Sequence, residues 1–304
     1  MGPDLSVEIA GLRLKNPTML AAGIRGLSAS SLRRAAEAGA GAVVTKSIGL
    51  KPRSGYPNPV IVDVGVGLIN ALGLPNPGVE EYVREIRGAK ADDVVVVGSV
   101  YGSSPEEFVK VSERVEEAGA DAIELNVSCP HVKGAGMQLG QDPRLLRRVV
   151  RAVKSSVEVP IFTKLTPNIT DIVEVACVAE EAGTDAITAI NTVRAMAIDI
   201  ETGRPILANR VGGLSGPAIK PIAVRCVYEI SRSVDVPVIS CGGVDDWGDA
   251  VEFMLAGAAA VQIGSAIGYK GLNVFEEVVA GIQKYLERKG CGSVGEIVGL
   301  SHRH

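Results

Sequence analysis

Four stretches of the chain repeat one pattern: EAGAGAVVTK (37–46), EAGADAIELN (117–126), EAGTDAITAIN (181–191) and LAGAAAVQIGS (255–265). Each joins the end of an amphipathic helix to a glycine, a short turn and a β-branched apolar strand. Gly39, Gly119, Gly183 and Gly257 fall where a helix needs a left-handed C-terminal cap, which glycine adopts without a Cβ penalty. The strands that follow show no polar alternation. Both strand faces are therefore buried, which marks a parallel sheet covered by helices.

The spacings between these glycines are 80, 64 and 74 residues. Each interval holds about two βα units of ordinary length. The missing strands are present: TMLAAG (18–23) before the first glycine, then VVVVGSV (94–100), IFTKL (161–165) and PVISCGG (237–243). Eight strands are therefore expected, at 18–22, 42–46, 94–99, 122–126, 161–165, 186–190, 237–241 and 260–264. Eight βα units predict an α/β fold of the closed (β/α)₈ TIM-barrel type. An open doubly wound sheet is disfavoured, because no GxGxxG follows the first strand and the halves show no symmetry. VEIAGLRLKN (7–16) reads as a hairpin at the barrel floor. No linker or low-complexity segment divides residues 1–304, so one domain is expected.

Charge narrows the function classes. The 31 basic and 35 acidic side chains leave a net charge of −4, with no footprint for nucleic acid or an anionic membrane. The five cysteines (Cys129, Cys177, Cys226, Cys241 and Cys291) are odd in number and contain no CxxC. That argues against a disulfide framework and against a cysteine-held zinc or iron–sulfur site, and it fits a reducing compartment. No apolar run reaches the roughly 18 residues of a membrane span, so a cytoplasmic location is expected. No His, Asp and Glu cluster has metal-ligand spacing, and no metal is expected.

In such a barrel the chemistry lies at the C-terminal ends of the strands. Those ends carry Ala22 and Gly23, then Lys46 and Ser47, Ser99, Asn126, Lys164, Asn191 and Thr192. Polar groups at buried strand ends need partners, and a ligand can be that partner. Gly242, Gly243, Gly264 and Ser265, after strands seven and eight, leave backbone N–H groups unobstructed. In many barrels these two loops hold a phosphate. GGLSGPAIKP (212–221) reads as a glycine-rich loop running into a helix, with Pro217 near its first turn.

Cys129 stands apart from the other thiols. Cys177 and Cys226 read as small hydrophobes on helix faces. Cys129 lies where the strand AIELNV opens into SCPHVKG, at the barrel mouth. A thiol there can be a nucleophile or a proton-transfer group, tuned by cations such as Lys46 or Lys164.

With these residues in place, the chain resembles the dihydroorotate dehydrogenase family of FMN-containing barrels. The resemblance runs from KNPTMLAAG to IGSAIGYKG and rests on TKS (45–47), NALGLPNPG (70–78), ELNVSCP (124–130), KLTPN (164–168), INT (190–192), GGLSGPAIKP, CGG and IGS. GGLSGPAIKP and PILAN (205–209) look most like the type that passes electrons to NAD through a separate iron–sulfur flavoprotein subunit. The resemblance implies that Cys129 is the general base for dihydroorotate. It implies that Lys46, Asn70, Asn126, Asn191 and Thr192 hold the pyrimidine, that the backbone of Leu72, Gly73 and Leu74 receives the carboxylate, and that Ala71 is a further substrate-binding residue. One FMN per chain would meet Ala22, Gly23, Lys46, Ser47, Ser99, Asn126, Ile190 and Lys164, with its phosphate at Gly216, Gly242, Gly243, Gly264 and Ser265. FAD and a 2Fe-2S cluster are expected only in the partner subunit, around a homodimeric core.

Three positions depart from the family's usual pattern. Ala22 replaces a serine, Ser99 replaces an asparagine, and His131 follows Cys-Pro where an asparagine usually faces the pyrimidine. SCPH (128–131) and GQDP (140–143) are shared with dihydropyrimidine dehydrogenases, whose uracil and thymine carry no carboxylate. The NALGLPNPG loop favours dihydroorotate. Two readings from other classes are a non-redox phosphate-binding barrel using Lys164 as an amine, and a non-catalytic subunit.

Overall fold

The computed structural model describes residues 2–90, 94–127 and 140–303. An antiparallel hairpin, β1 (Val7–Ile9) and β2 (Leu12–Leu14), comes first. Eight parallel strands then close into a barrel: β3 (Thr18–Leu20), β4 (Ala42–Val44), β7 (Val96–Val100), β8 (Ala122–Asn126), β9 (Ile161–Leu165), β10 (Ala186–Ala189), β15 (Val238–Cys241) and β16 (Ala258–Ile263). All eight fall within two residues of the expected bounds at each end. The intervening helices include α2 (Val79–Ala89), α3 (Pro105–Glu117), α4 (Pro143–Lys154), α5 (Ile172–Glu181), α6 (Lys220–Ser231) and α7 (Trp247–Leu255). Among the described residues no helix is long and apolar enough to cross a membrane.

The repeated sequence pattern is a repeated set of hydrogen bonds. Gly39, Gly119, Gly183 and Gly257 all have φ between +95° and +112°, as the left-handed cap requires. Two residues after the second and third of these glycines stands an aspartate. Asp121 accepts from Lys90 Nζ and from Val96 N, at the start of the preceding strand. Asp185 accepts in the same way from Lys154 Nζ and Ile161 N. Three residues before each of these two glycines stands a glutamate with an equally regular role. Glu116 Oε1 accepts from Glu158 N and Val159 N at 2.7 and 2.9 Å. Glu180 Oε1 accepts from Asp235 N and Val236 N at 2.6 and 3.0 Å. The aspartates thus tie a helix-to-strand corner to the strand before it, and the glutamates tie it to the segment leading into a later strand.

The barrel interior follows the period of two along each strand. The lowest inward positions are apolar: Met19, Ala42, Val97, Ala122, Phe162, Ala186, Ile239 and Ala260 pack together, with Ile9 and Leu14 of the hairpin plugging the floor. Small alanines leave room for the Phe162 ring. One step higher the inward positions turn polar, with Glu124 on β8, Lys164 on β9, Thr188 on β10 and Gln262 on β16. The outward positions, such as Ile123, Leu125, Ile187 and Val261, join the larger core beneath the helices.

Above the mouth lies a four-stranded antiparallel sheet that the sequence reading lacked. It is ordered β11 (Val193–Ala195), β14 (Gly212–Ser215), β6 (Leu68–Asn70), β5 (Ile61–Asp63). The segment expected to be a glycine-rich loop is therefore partly strand. Pro217 opens a 3-10 turn (Pro217–Ile219), and α6 begins only at Lys220, with Pro221 in its first turn. Gly213 must lack a side chain here, because a Cβ would lie 2.0 Å from Thr192 Oγ1. A small hairpin, β12 (Ile198–Asp199) and β13 (Arg204–Pro205), projects beyond this sheet.

Glu116→Ala and Glu180→Ala each leave two backbone N–H groups without their acceptor. Each is expected to lower stability by about 1–2 kcal/mol. The effects should add, because the two corners share no partner. Denaturant unfolding with an unchanged slope checks this; losses below about 0.3 kcal/mol would show that water replaces both carboxylates.

Candidate active site

A cavity of about 250 Å³ opens at the C-terminal end of the barrel, under the four-stranded sheet. Most of the strand ends singled out from the sequence within the described residues contribute to it. Ala22 and Gly23 follow β3, while Lys46 and Ser47 follow β4. Asn126 and Lys164 end β8 and β9, and Ile190, Asn191 and Thr192 follow β10. Asn70 comes from the covering sheet, and Leu72, Gly73 and Leu74 from the loop after it. Gly216, Gly242, Gly243, Gly264 and Ser265 form the opposite wall. Cys129 and His131 lie outside the described residues.

Two candidates sit behind the wall. Ser99 is fully buried, and its hydroxyl pairs with Ser47 Oγ at 3.0 Å. Ser47 in turn accepts from Asn126 Nδ2 at 2.9 Å, and Asn191 Nδ2 donates to Asn126 Oδ1 at 3.5 Å. A polar chain therefore runs along the rim from Ser99 to Asn191. Ala71, just after β6 of the covering sheet, is fully buried and packs with Ile69 and Leu207.

The 72–74 loop is fastened from behind. Leu72 O accepts from Tyr56 N at 3.0 Å, Gly73 O from Arg53 Nε at 2.7 Å, and Leu74 O from Asn76 Nδ2 at 2.9 Å. Asn76 also donates to Tyr101 Oη and accepts from the N–H groups of Gly49 and Gly78, so all four of its hydrogen-bonding positions are used. Gly73 and Leu74 have φ of +73° and +56°. A Cβ on Gly73 would strike the Tyr56 ring at 2.7 Å, which keeps this loop and the 53–56 segment in direct contact. With three successive carbonyls held this way, no acceptor among the described residues meets the N–H groups of Leu72, Gly73 or Leu74. Such an arrangement is a ready anion site.

The far wall is bare backbone. Gly242 and Gly243 have φ of +134° and +83°. A Cβ on Gly243 would meet Gly216 O at 2.9 Å and Lys220 Cβ at 2.8 Å. Here only glycine lets the two loops approach. The cavity thus combines bare N–H groups at one wall, two buried lysines and amide side chains at the other.

Beneath it lies a cluster that the sequence reading missed. Lys164 Nζ donates to Gln262 Oε1 at 2.8 Å and lies 3.6 Å from Glu124 Oε1. Gln262 Nε2 donates to Glu124 Oε2 at 2.6 Å, and Thr188 Oγ1 donates to the same oxygen at 3.1 Å. The signal was available: Glu124 is a charge inside the apolar run AIELN, and Gln262 interrupts AAAVQI. Cys241 lines the cavity beside Lys164. Burial pushes its thiol up, although the Lys164 ammonium pulls the other way. Cys226 is buried in α6, and Cys177 is partly exposed on α5, with Sγ 3.7 Å from Ser233 O.

Comparison with known proteins agrees with this architecture. A dihydroorotate dehydrogenase family model matches residues 4–286. The chain is 56% identical over 300 residues to dihydroorotate dehydrogenase B (NAD(+)), catalytic subunit, from Methanothermobacter thermautotrophicus, covering 98% of each chain. It is 54% identical over 299 residues to the protein of the same name from Methanocella arvoryzae, again covering 98% of each. Among solved structures, DHODH from Eimeria tenella in complex with ferulenol superposes with a TM-score of 0.87 at 25% identity, covering 99% of this chain and 89% of that one. The barrel, the site and the full-length matches together lead to one conclusion: the chain belongs to the dihydroorotate dehydrogenase family.

Proposed function

We propose that the chain oxidises dihydroorotate to orotate in pyrimidine biosynthesis, as one FMN-binding unit spanning residues 1–304. The observation that carries this reading is the 72–74 loop. Three adjacent N–H groups, with their carbonyls engaged from behind, and the nearby Lys46 offer a site for the one feature that separates dihydroorotate from dihydrouracil: its carboxylate. Uracil and thymine would leave that site unfilled.

FMN fits the rest of the cavity. The bare backbone at Gly216, Gly242, Gly243, Gly264 and Ser265 suits its phosphate, and Lys164 suits the polar edge of its ring. When bound, FMN supplies the acceptor for the hydride that leaves C6 of the substrate. The chain's own residues do the rest. Asn70, Asn126, Asn191 and Thr192 hold the pyrimidine in the plane that presents C5 and C6. Asn126 and Asn191 are pre-oriented by the rim chain through Ser47 and Ser99. Cys129 takes the C5 proton, and His131 hydrogen-bonds the pyrimidine in place of the usual asparagine.

Electrons then leave for NAD through an iron–sulfur flavoprotein partner that carries FAD and a 2Fe-2S cluster. The relatives are named as catalytic subunits of an NAD(+)-linked enzyme, which supports this. Met196, Ile198 and Ile200, on and beside the projecting hairpin, stand exposed, as side chains at a subunit contact would in an isolated protomer. A homodimer in the cytoplasm completes the reading.

Gently purified protein is expected to show flavin absorbance, to reduce a dye with dihydroorotate but not with dihydrouracil, and to leave NAD untouched until the partner is added. A colourless protein would overturn the flavin reading, and dihydrouracil turnover would overturn the substrate. Cys129→Ser is expected to retain FMN but slow its reduction in a single turnover by about 10²–10⁴-fold. An unchanged rate would remove Cys129 from the base role. His131→Ala is expected to weaken orotate binding, read by titration of the flavin spectrum.

A further inference from the structure

A lysine inside a closed barrel needs a counter-charge inside the same barrel. Lys164 is 5% exposed, and Glu124, one inward position below Asn126, is not exposed at all. Glu124 is shut off from solvent, and Lys164 is exposed only where it lines the cavity. The other groups around Lys164 are Cys241 from β15, Gln262 from β16 and Thr188 from β10. Lys46, after β4, is the second cation lining the cavity.

The geometry of the cluster is directional. Gln262 accepts from Lys164 through Oε1 and donates to Glu124 through Nε2, which settles its amide orientation. Thr188 spends its hydroxyl proton on the same Glu124 oxygen. Glu124 Oε2 is therefore engaged twice. Oε1 accepts no hydrogen bond among the described residues and has only the Lys164 ammonium, 3.6 Å away, to answer its charge. An ammonium has three donors. One goes to Gln262, Glu124 lies below the ammonium and Cys241 beside it, while Lys164 itself lines the cavity floor.

We propose that Glu124, through Gln262 and Thr188, is the positioning residue that keeps Lys164 charged and aimed at the cavity floor, where it serves the ring edge of the bound flavin. Burial opposes the charge on Lys164, yet its pKa lies above the ordinary value because Cys241 and Glu124 favour the ammonium. Cys241 is itself pushed up by burial and stays a neutral thiol near pH 7, so the standing counter-charge comes from Glu124. Without Glu124 the burial cost is opposed only by Gln262 and the Cys241 thiol, and the lysine loses its proton at lower pH.

Only the last clause, the service to flavin, rests on the flavin reading; the cluster itself does not. The test therefore uses flavin-free protein first. With ¹³C-labelled lysine, the Cε resonance of Lys164, assigned by its loss in Lys164→Gln, is followed against pH. In the wild type it should stay in the charged position to beyond the ordinary lysine value of about 10.4. In Glu124→Gln, which keeps the shape, the midpoint should fall by about two pH units. Gln262→Leu, which keeps the carboxylate, should give a smaller fall, and Glu124→Asp should restore part of the wild-type behaviour. A wild-type Lys164 that titrates below its ordinary value overturns the proposal whether or not the variants fold, and so does a midpoint unmoved by Glu124→Gln. In the FMN-loaded protein, the midpoint potential of Glu124→Gln should acquire a new pH-dependent break that the wild type lacks. Its absence, alongside a shifted lysine in the flavin-free protein, would overturn the service to flavin and leave the cluster standing. A wild type that binds no FMN at all would instead defeat the functional reading.

Discussion

A closed parallel barrel has no free edge, and helices cover its outer face, so every polar side chain that points inward must find its partner inside. That constraint organises this molecule. The lower interior is filled with apolar side chains, four of them alanines around Phe162, and sealed by Ile9 and Leu14. The next inward positions are polar, and they answer one another: Glu124, Lys164, Thr188 and Gln262 form one connected set. Above them the rim residues Ser47, Ser99, Asn126 and Asn191 form another. The cavity begins where this mutual satisfaction stops, because a ligand can take over the remaining donors.

The barrel and the site divide the work. Paired carboxylates at the outer corners, Glu116 with Glu180 and Asp121 with Asp185, hold loops that face away from the chemistry. They do for stability what the strand ends do for binding. On the mouth side the loops are held by side chains of other loops. Arg53 and Asn76 fasten the 72–74 loop, and Asn168, which donates to Thr192 O, fastens the loop after β10. A site fastened from behind keeps its donors in place before the substrate arrives, so little ordering has to accompany binding.

A buried ion pair is weak evidence for stability, since the loss of hydration offsets much of the attraction. The Glu124–Lys164 pair therefore calls for another reason, and its place under the ligand cavity offers one. A cation held in low dielectric, with its counter-charge below it, acts strongly on whatever lies above. The four-stranded sheet adds to this by roofing the cavity with segments drawn from both sides of the barrel.

Much of this was legible in the residues alone. The four glycine-capped repeats and the four apolar runs between and before them located eight strands to within two residues at each end, because helix caps and apolar runs are local signals. The strand-end rule then collected Lys46, Asn126, Lys164, Asn191 and the glycines of the far wall, since a barrel exposes chemistry only there. Resemblance to a family supplied FMN, the pyrimidine and the role of Cys129, none of which periodicity contains. What only the tertiary structure decided are the long-range pairings. Asn70 and Gly213 sit in register across the covering sheet although 143 residues apart, and nothing local in GGLSGPAIKP marks its first residues as a strand. Ser99 and Ala71 moved behind the cavity wall for the same reason: facing is set by the pleat and by neighbours, not by nearness in the chain. Glu124 and Gln262 were visible as oddities in two apolar strands, but only closure of the barrel brings them within reach of Lys164 and turns two exceptions into one arrangement.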